Sequence, residues 1–214
     1  MKNIKIKKLC ILLFLLLLYT FICVQSYVSA VSTNLSSAVF RLHVLANSDS
    51  DEDQSLKIKV RDGLLNYMNG ICANCSTKEE AISLATAHES DFQQIAEKII
   101  NDNGYNYSVK ININNFYFPT KNYGDISLPA GFYDALRVEI GEAKGRNWWC
   151  VMFPSLCFID VSSGIVDSKA KENLEENLDD ESYNLISSQD NNEVKFKFKL
   201  IEFFAEKGLF TANT

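Results

Sequence analysis

Hydrophobic and polar positions divide the chain into an apolar start, two helical stretches and a series of alternating segments. The start has lysines at positions 2, 5, 7 and 8, an uncharged run from Leu9 to Val24, and a small-x-small exit at Val28-Ser29-Ala30. This order is typical of a secretory signal peptide. We predict a signal peptide over residues 1–30, cleaved after Ala30. An uncleaved membrane anchor is the alternative, although a 16-residue helix spans about 24 Å of a ~30 Å hydrocarbon core.

The next hundred residues carry the pattern of one strand followed by two long helices. Alternation from Val39 to Ala46 predicts a half-buried strand. A capping pair, Ser50 with Asp53, opens a helix to about Asn69, and an apolar stripe with spacings of three and four extends a second helix from about Ser76 to Asp102.

From Tyr107 onward the period changes to two. Alternating runs at 107–114, 136–140, 148–153 and 156–161, separated by turn residues, predict an antiparallel meander. A polar stretch at 167–191 predicts a short solvated helix and a loop, and 194–204 predicts a strand followed by a helix, with one amphipathic helix as the alternative. The predicted fold class is α+β, with the antiparallel sheet covered on one face by the two long helices, and residues 31–214 form a single domain.

Charge narrows the range of binding partners. The full chain of 214 residues has a formal net charge of -6, and loss of residues 1–30, which hold four lysines and no acid, leaves -10. Such a domain lacks the concentrated basic face that nucleic acid requires. It is also repelled by an anionic membrane surface, so we expect neither partner.

Four cysteines remain after the predicted cleavage, and they allow three disulfide pairings. Cys72 and Cys75 have the spacing of a redox motif, but the strand-to-helix context of a thioredoxin is missing. Cys150 and Cys157 flank the turn at Pro154, so a disulfide between them would close a hairpin. Export favours disulfides over thiolates.

The standard catalytic and cofactor motifs are missing from the sequence: it has no phosphate-binding glycine loop, nucleophile elbow or paired metal-binding histidines. Asp49, Asp51 and Asp53 imitate the start of a calcium loop, but Gln54 and Val60 stand where that loop needs glycine and glutamate. We therefore predict a binding protein without enzyme activity, metal or cofactor.

Several blocks of sequence resemble the stage II sporulation protein R family. They are Phe40–Ser50 continuing to Asp62, Phe118–Gly124 with Leu128–Gly131 and Ala135–Val138, Gly145–Phe158, and Val194–Glu202. Together they follow the family's order over most of the chain after the signal peptide. The resemblance implies a secreted intercellular signal of endospore formation, exported from the forespore into the space between the forespore and mother-cell membranes. There it would activate the membrane-embedded aspartic protease that processes the pro-sigma-E factor.

This implied role needs a surface that the protease recognises on its extracytoplasmic side. Polar residues at the end of the first strand and aromatic residues in the second and third blocks are the candidates, although helix capping and core packing are their routine uses. The expected contacts are His43, Asn47, Ser48, Asp49, Tyr123, Trp148 and Trp149. The alternative function is an exported module that binds the cell wall, or a wall hydrolase.

Overall fold

A computed structural model describes residues 2–156, 166, 168–187 and 192–206. The helices and strands follow in the order α1 (Lys2–Ala38), β1 (Phe40–Leu45), α2 (Asp51–Ile71), α3 (Lys78–Ala87), α4 (Glu89–Asp102), β2 (Val109–Phe118), β3 (Lys121–Tyr123), β4 (Ile126–Leu128), β5 (Gly131–Ile140), β6 (Asn147–Phe153), α5 (Ser168–Asn177), α6 (Asp180–Ser187) and α7 (Asn192–Glu206). The α+β class is confirmed.

The predicted meander is not observed, because β1 separates two strands that are consecutive in the chain. The main sheet has the order β2-β5-β1-β6, and β1 pairs parallel with β5 and antiparallel with β6. The loop between β5 and β6 crosses the end of β1, where Gly145 N donates to Ala46 O at 2.9 Å and Lys144 N donates to Asn47 O at 3.1 Å. The sheet is therefore mixed, with β1 at its centre and buried on both faces.

Helices cover both faces of the sheet rather than one. On the first face, α2, α3 and α4 bury Leu56, Leu64 and Phe92 against Leu42 and Val138. The second face is partly covered by the end of α1, by α5, α6 and α7, and by the β3–β4 hairpin. These elements pack into a second hydrophobic core. The predicted fold lacked this core because the stretch near residue 170 is mostly polar and has few apolar positions.

The helix ends agree with the predicted ends at some positions and differ from them at others. Ser50 caps α2 by accepting from Asp53 N at 3.2 Å, as predicted. The helix expected from about Ser76 begins one residue later, with a capping box formed by Thr77 and Glu80. The second predicted long helix is divided into α3 and α4 at His88, which is both the C-cap of α3 and the N-cap of α4.

Three other segments differ from prediction or cannot be compared with it. The strand expected at 194–200 is the helix α7, the alternative that the alternation left open. The helix α1 runs without interruption past the predicted cleavage point at Ala30. The strand expected at 156–161 and the turn after it fall outside the described residues, apart from Leu156.

Candidate functional site

Four residues stand side by side across the whole width of the main sheet. His43 of β1 is in register with Arg137 of β5 and Trp149 of β6, and Arg137 is in register with Asn112 of β2. Alternation along each strand directs these four side chains to one face. We call Asn112, Arg137, His43 and Trp149 the cross-strand row. Asn112 is exposed and Arg137 and Trp149 are half-buried, whereas His43 is only 5% exposed, so solvent reaches the row mainly at its other three members.

A stacked pair forms the centre of the row. The rings of His43 and Trp149 lie 3.7 Å apart with an interplanar angle of 17°. His43 Nε2 lies 2.7 Å from Asn147 Oδ1. Because an amide oxygen only accepts, Nε2 is the protonated nitrogen, and Nδ1 is a buried acceptor that has no hydrogen-bond partner in the described part of the chain. The row thus presents an aromatic surface fixed by a histidine.

His43 is neutral at the pH of a cell. Burial lowers its pKa from 6.5 to about 4, and the positive charges of Arg137 and Arg41 act in the same direction, although the hydrogen bond to Asn147 opposes them. Protonation would place a third cation beside two arginines. The site therefore keeps its histidine as a stacking and hydrogen-bonding group rather than as a charge.

A buried arginine lies two residues before His43 on the same strand face. Arg41 is fully buried, and its guanidinium carbon lies 4.0 Å from the Phe118 ring centroid and 4.7 Å from that of Tyr133. Nη2 donates to Tyr123 Oη at 2.6 Å, while Nε and Nη1 have no hydrogen-bond partner among the residues that the structure describes. Aromatic faces thus hold this cation in place of a carboxylate.

The predicted contacts at the end of β1 form a structural brace. Asn47 Nδ2 and Ser48 Oγ donate to Asp53 Oδ2 at 2.8 and 2.6 Å, and Asn47 Oδ1 accepts from Glu142 N at 3.0 Å. Burial opposes ionisation of Asp53, but hydrogen bonds from Ser48, Asn47 and Tyr107 hold its pKa below the ordinary value. The brace joins the start of α2 to the β5–β6 loop.

Asp49 and Lys57 complete the attachment of that loop. Asp49 Oδ1 accepts from Arg146 N at 2.6 Å, and Lys57 Nζ donates to Arg146 O at 2.8 Å and to Gln54 Oε1 at 2.6 Å. Burial lowers the pKa of Lys57. Asp49 itself is exposed, so it is the member of the Asn47–Asp49 group that remains accessible to a partner.

The other two aromatic candidates are not members of the row. Tyr123 is buried, and its hydroxyl accepts from Arg41 Nη2 and donates to Trp149 O at 3.4 Å. Trp148 points to the helix-covered face, where the guanidinium carbon of Arg61 lies 4.2 Å from its ring centroid. Of the seven expected contacts, His43 and Trp149 are brought together on one surface.

The cysteines form local links. Cys72 and Cys75 are joined in a disulfide between α2 and α3. Cys150 is disulfide-bonded, and Cys157, its expected partner, falls outside the described residues. Within the part of the chain that the structure describes, no group of three His, Cys, Asp or Glu side chains could hold a metal ion.

The family model described as stage II sporulation protein R matches residues 36–163. This region contains β1 to β6, the cross-strand row and the brace. The chain belongs to the stage II sporulation protein R family. It therefore has a sporulation role.

A curated member of the family agrees with this assignment. The chain is 40% identical over 124 residues to the stage II sporulation protein R of Bacillus subtilis (strain 168). The alignment covers 58% of this chain and 55% of that protein, so the shared part is little more than half of the relative's length. No solved structure matches the chain.

Three residues of the site were not predicted from the sequence. Arg41, Asn112 and Arg137 were not among the expected contacts, although Arg41 and His43 both lie on the polar side of the first alternating segment. Two polar side chains at positions i and i+2 of a strand that proves central are the signal that could have identified them. The row itself could not be found without the strand order.

Proposed function

We propose that this protein is an exported intercellular signal of endospore formation that activates the membrane-embedded aspartic protease processing pro-sigma-E. Membership of the stage II sporulation protein R family supports the developmental setting. The long apolar helix at the N-terminus is consistent with export across the forespore membrane. The protein acts by binding, and the peptide bond is cut by the protease's own carboxylates.

The cross-strand row is the surface we propose for docking, and the half-buried Trp149 ring stacked on the buried His43 is the observation that carries the proposal. Tryptophan and arginine are enriched among residues that dominate binding energy, and Trp149 and Arg137 stand in one row with a rigid histidine between them. A ligand shifts its receptor only by binding the active state better than the inactive one. A flat, prearranged row suits such a contact because little side-chain entropy is lost on binding.

Co-purification with the detergent-solubilised protease tests this surface. Trp149→Ala removes the aromatic anchor, and Asn112→Arg places a bulky cation at an exposed position of the row without touching the core. At ligand concentrations below the Kd, each variant is expected to recover at least tenfold less protease, which corresponds to a loss of about 1.4 kcal/mol of binding free energy. Ser83→Arg, at an exposed site on α3 beyond the other sheet face, is the matched control and should bind like the wild type.

Two outcomes would contradict the proposal. Normal recovery of the protease with both row variants would show that docking uses another surface. Binding of the purified wild-type protein to isolated peptidoglycan, without binding to the protease, would favour the alternative of a wall-binding module or hydrolase. Far-ultraviolet circular dichroism of each variant confirms that the fold is intact.

A further inference from the structure

The helix α1 consists of two halves in different environments. Its large side chains from Ile6 to Ile22 are exposed, with values such as 68% for Leu17 and 65% for Phe14. From residue 24 onward the same helix enters the second core, where Val28 is 0%, Val31 is 5% and Leu35 is 1% exposed. The change falls before the predicted cleavage point at Ala30, not at it.

The second half of α1 is attached to the domain by several independent contacts. Val24 and Tyr27 pack against the second core, and Lys197 Nζ of α7 lies 5.6 Å from the Tyr27 ring centroid. At the end of the helix, Lys78 Nζ donates to Ser36 O at 2.8 Å and forms an ion pair with Asp134 at 2.6 Å. Cleavage after Ala30 would remove Val24, Tyr27 and Val28 from this packing.

The first half of α1 is apolar around its whole circumference. Leucine, isoleucine and phenylalanine occupy consecutive positions from 11 to 18, and all of them are exposed. A protein partner that packs on one side would cover a stripe and leave polar residues elsewhere, whereas a helix apolar all round fits a bilayer. The 17 residues from Ile6 to Ile22 extend about 25 Å, and the exposed Lys7 and Lys8, at the start of this segment, can extend their charged ends into the headgroups.

We infer that residues 6–22 stay in the lipid bilayer as an anchor and that residues 24–38 belong to the folded domain. The lysines at the start of the chain orient the anchor with its N-terminus in the cytoplasm and the domain outside. This inference replaces the predicted cleavage after Ala30. It is compatible with the expected repulsion between the acidic domain and anionic lipid, because the contact with the bilayer is through the apolar helix alone.

The consequence for signalling rests on the proposed function. A domain continuous with its anchor helix is confined to the outer surface of the membrane that exported it. It would activate only a protease close to that membrane, as a tethered ligand. Tethering also raises the effective concentration of the ligand in the thin space between two membranes.

Expression of the full chain with its own N-terminus tests the inference by two measurements. The intact mass of the purified protein is expected to match the full chain of 24.2 kDa, recovered from the membrane fraction in detergent. A mass that lacks residues 1–30, recovered from the aqueous fraction, would overturn the inference. The mass can be measured whether or not a variant folds.

Two alanine variants in the same helix provide the second measurement. Val28→Ala removes buried methyl groups and is expected to lower the Tm by roughly 3–8 °C. Leu17→Ala, at an exposed position, should leave the Tm unchanged. A residue lost with a leader cannot change the Tm of the remaining domain, so equal Tm values for Val28→Ala and the wild type would contradict the anchor. Neither measurement involves the protease, so failure here is distinct from failure of the proposed function.

Discussion

At the scale of single residues, the most specific contacts in this structure are made by buried side chains. Arg41 is the clearest case, because it brings a positive charge into the core with Tyr123 Oη as its hydrogen-bond partner. The faces of Phe118 and Tyr133 replace part of the lost hydration. Alternation in the sequence placed Arg41 on one side of a strand but gave no sign of full burial, since strands at a sheet's edge show the same pattern.

Removal of the Tyr123 hydroxyl tests how strongly Arg41 depends on it. Tyr123→Phe removes the hydrogen-bond acceptor that the described residues provide for this buried guanidinium, so we expect the free energy of unfolding to fall by about 1.5–3 kcal/mol. In an Arg41→Met background, the same substitution should cost under about 1 kcal/mol because no cation is left unpaired. Urea titration of the four proteins measures this coupling. Equal costs in both backgrounds would show that the contact contributes nothing specific.

The buried neutral state of His43 makes stability depend on pH. Its pKa is about 4 in the folded protein against 6.5 in the unfolded chain. As the pH falls from 6.5 to 4, the unfolded chain takes up the proton first, so the free energy of unfolding decreases, by on the order of 2–3 kcal/mol. His43→Gln should lose this part of the pH dependence, whereas His88→Gln, at a half-exposed position, should keep it. Parallel profiles for wild type and His43→Gln would refute this assignment.

At the scale of helices and strands, local periodicity predicted most element types correctly, but it did not predict which strands pair with each other in the sheet. The helix α2 and its Ser50 cap follow directly from the sequence, as does the strand β1. The position of β1 between β5 and β6 depends on pairing across about 90 residues, which no short-range pattern records. The helix α7 was ambiguous because Val194, Phe196, Phe198 and Leu200 alternate like a strand over too few residues.

Close approach of two loops at Gly145 provides a test of the strand order. A Cβ at Gly145 would collide with the backbone oxygen of Ser48 and lie 2.9 Å from Ala46 Cβ. Because backbone cannot move aside cheaply, Gly145→Ala should lower the free energy of unfolding by about 2 kcal/mol or more. Gly70→Ala is the matched control: nothing lies within 4 Å of its added Cβ, and the helical position favours alanine by about 0.5–1 kcal/mol. If Gly145→Ala left the free energy of unfolding unchanged, the observed packing of the β5–β6 loop against the end of β1 would be contradicted.

In the whole molecule, each face of the main sheet carries one hydrophobic core. The second core covers its face only in part, which accounts for the proposed docking surface, and it includes the second half of α1, which accounts for the proposed anchor. The first core fills the face under α2, α3 and α4. The second core covers part of the other face, where Trp149 packs against it as a half-buried side chain and Arg137 and Asn112 reach the solvent. The expected site could be predicted only in fragments, since His43 and Trp149 are 106 positions apart and meet through the strand order.

Reconstitution in a non-sporulating bacterium tests the central claim most directly. The full chain, the membrane-embedded protease and the pro-sigma-E precursor are expressed together, and precursor cleavage is followed by immunoblot. The account predicts cleavage with the exported chain and none when the apolar segment 6–22 is replaced so that the domain stays in the cytoplasm. Equal cleavage with the cytoplasmic form, or with the chain omitted, would contradict an exported activating ligand.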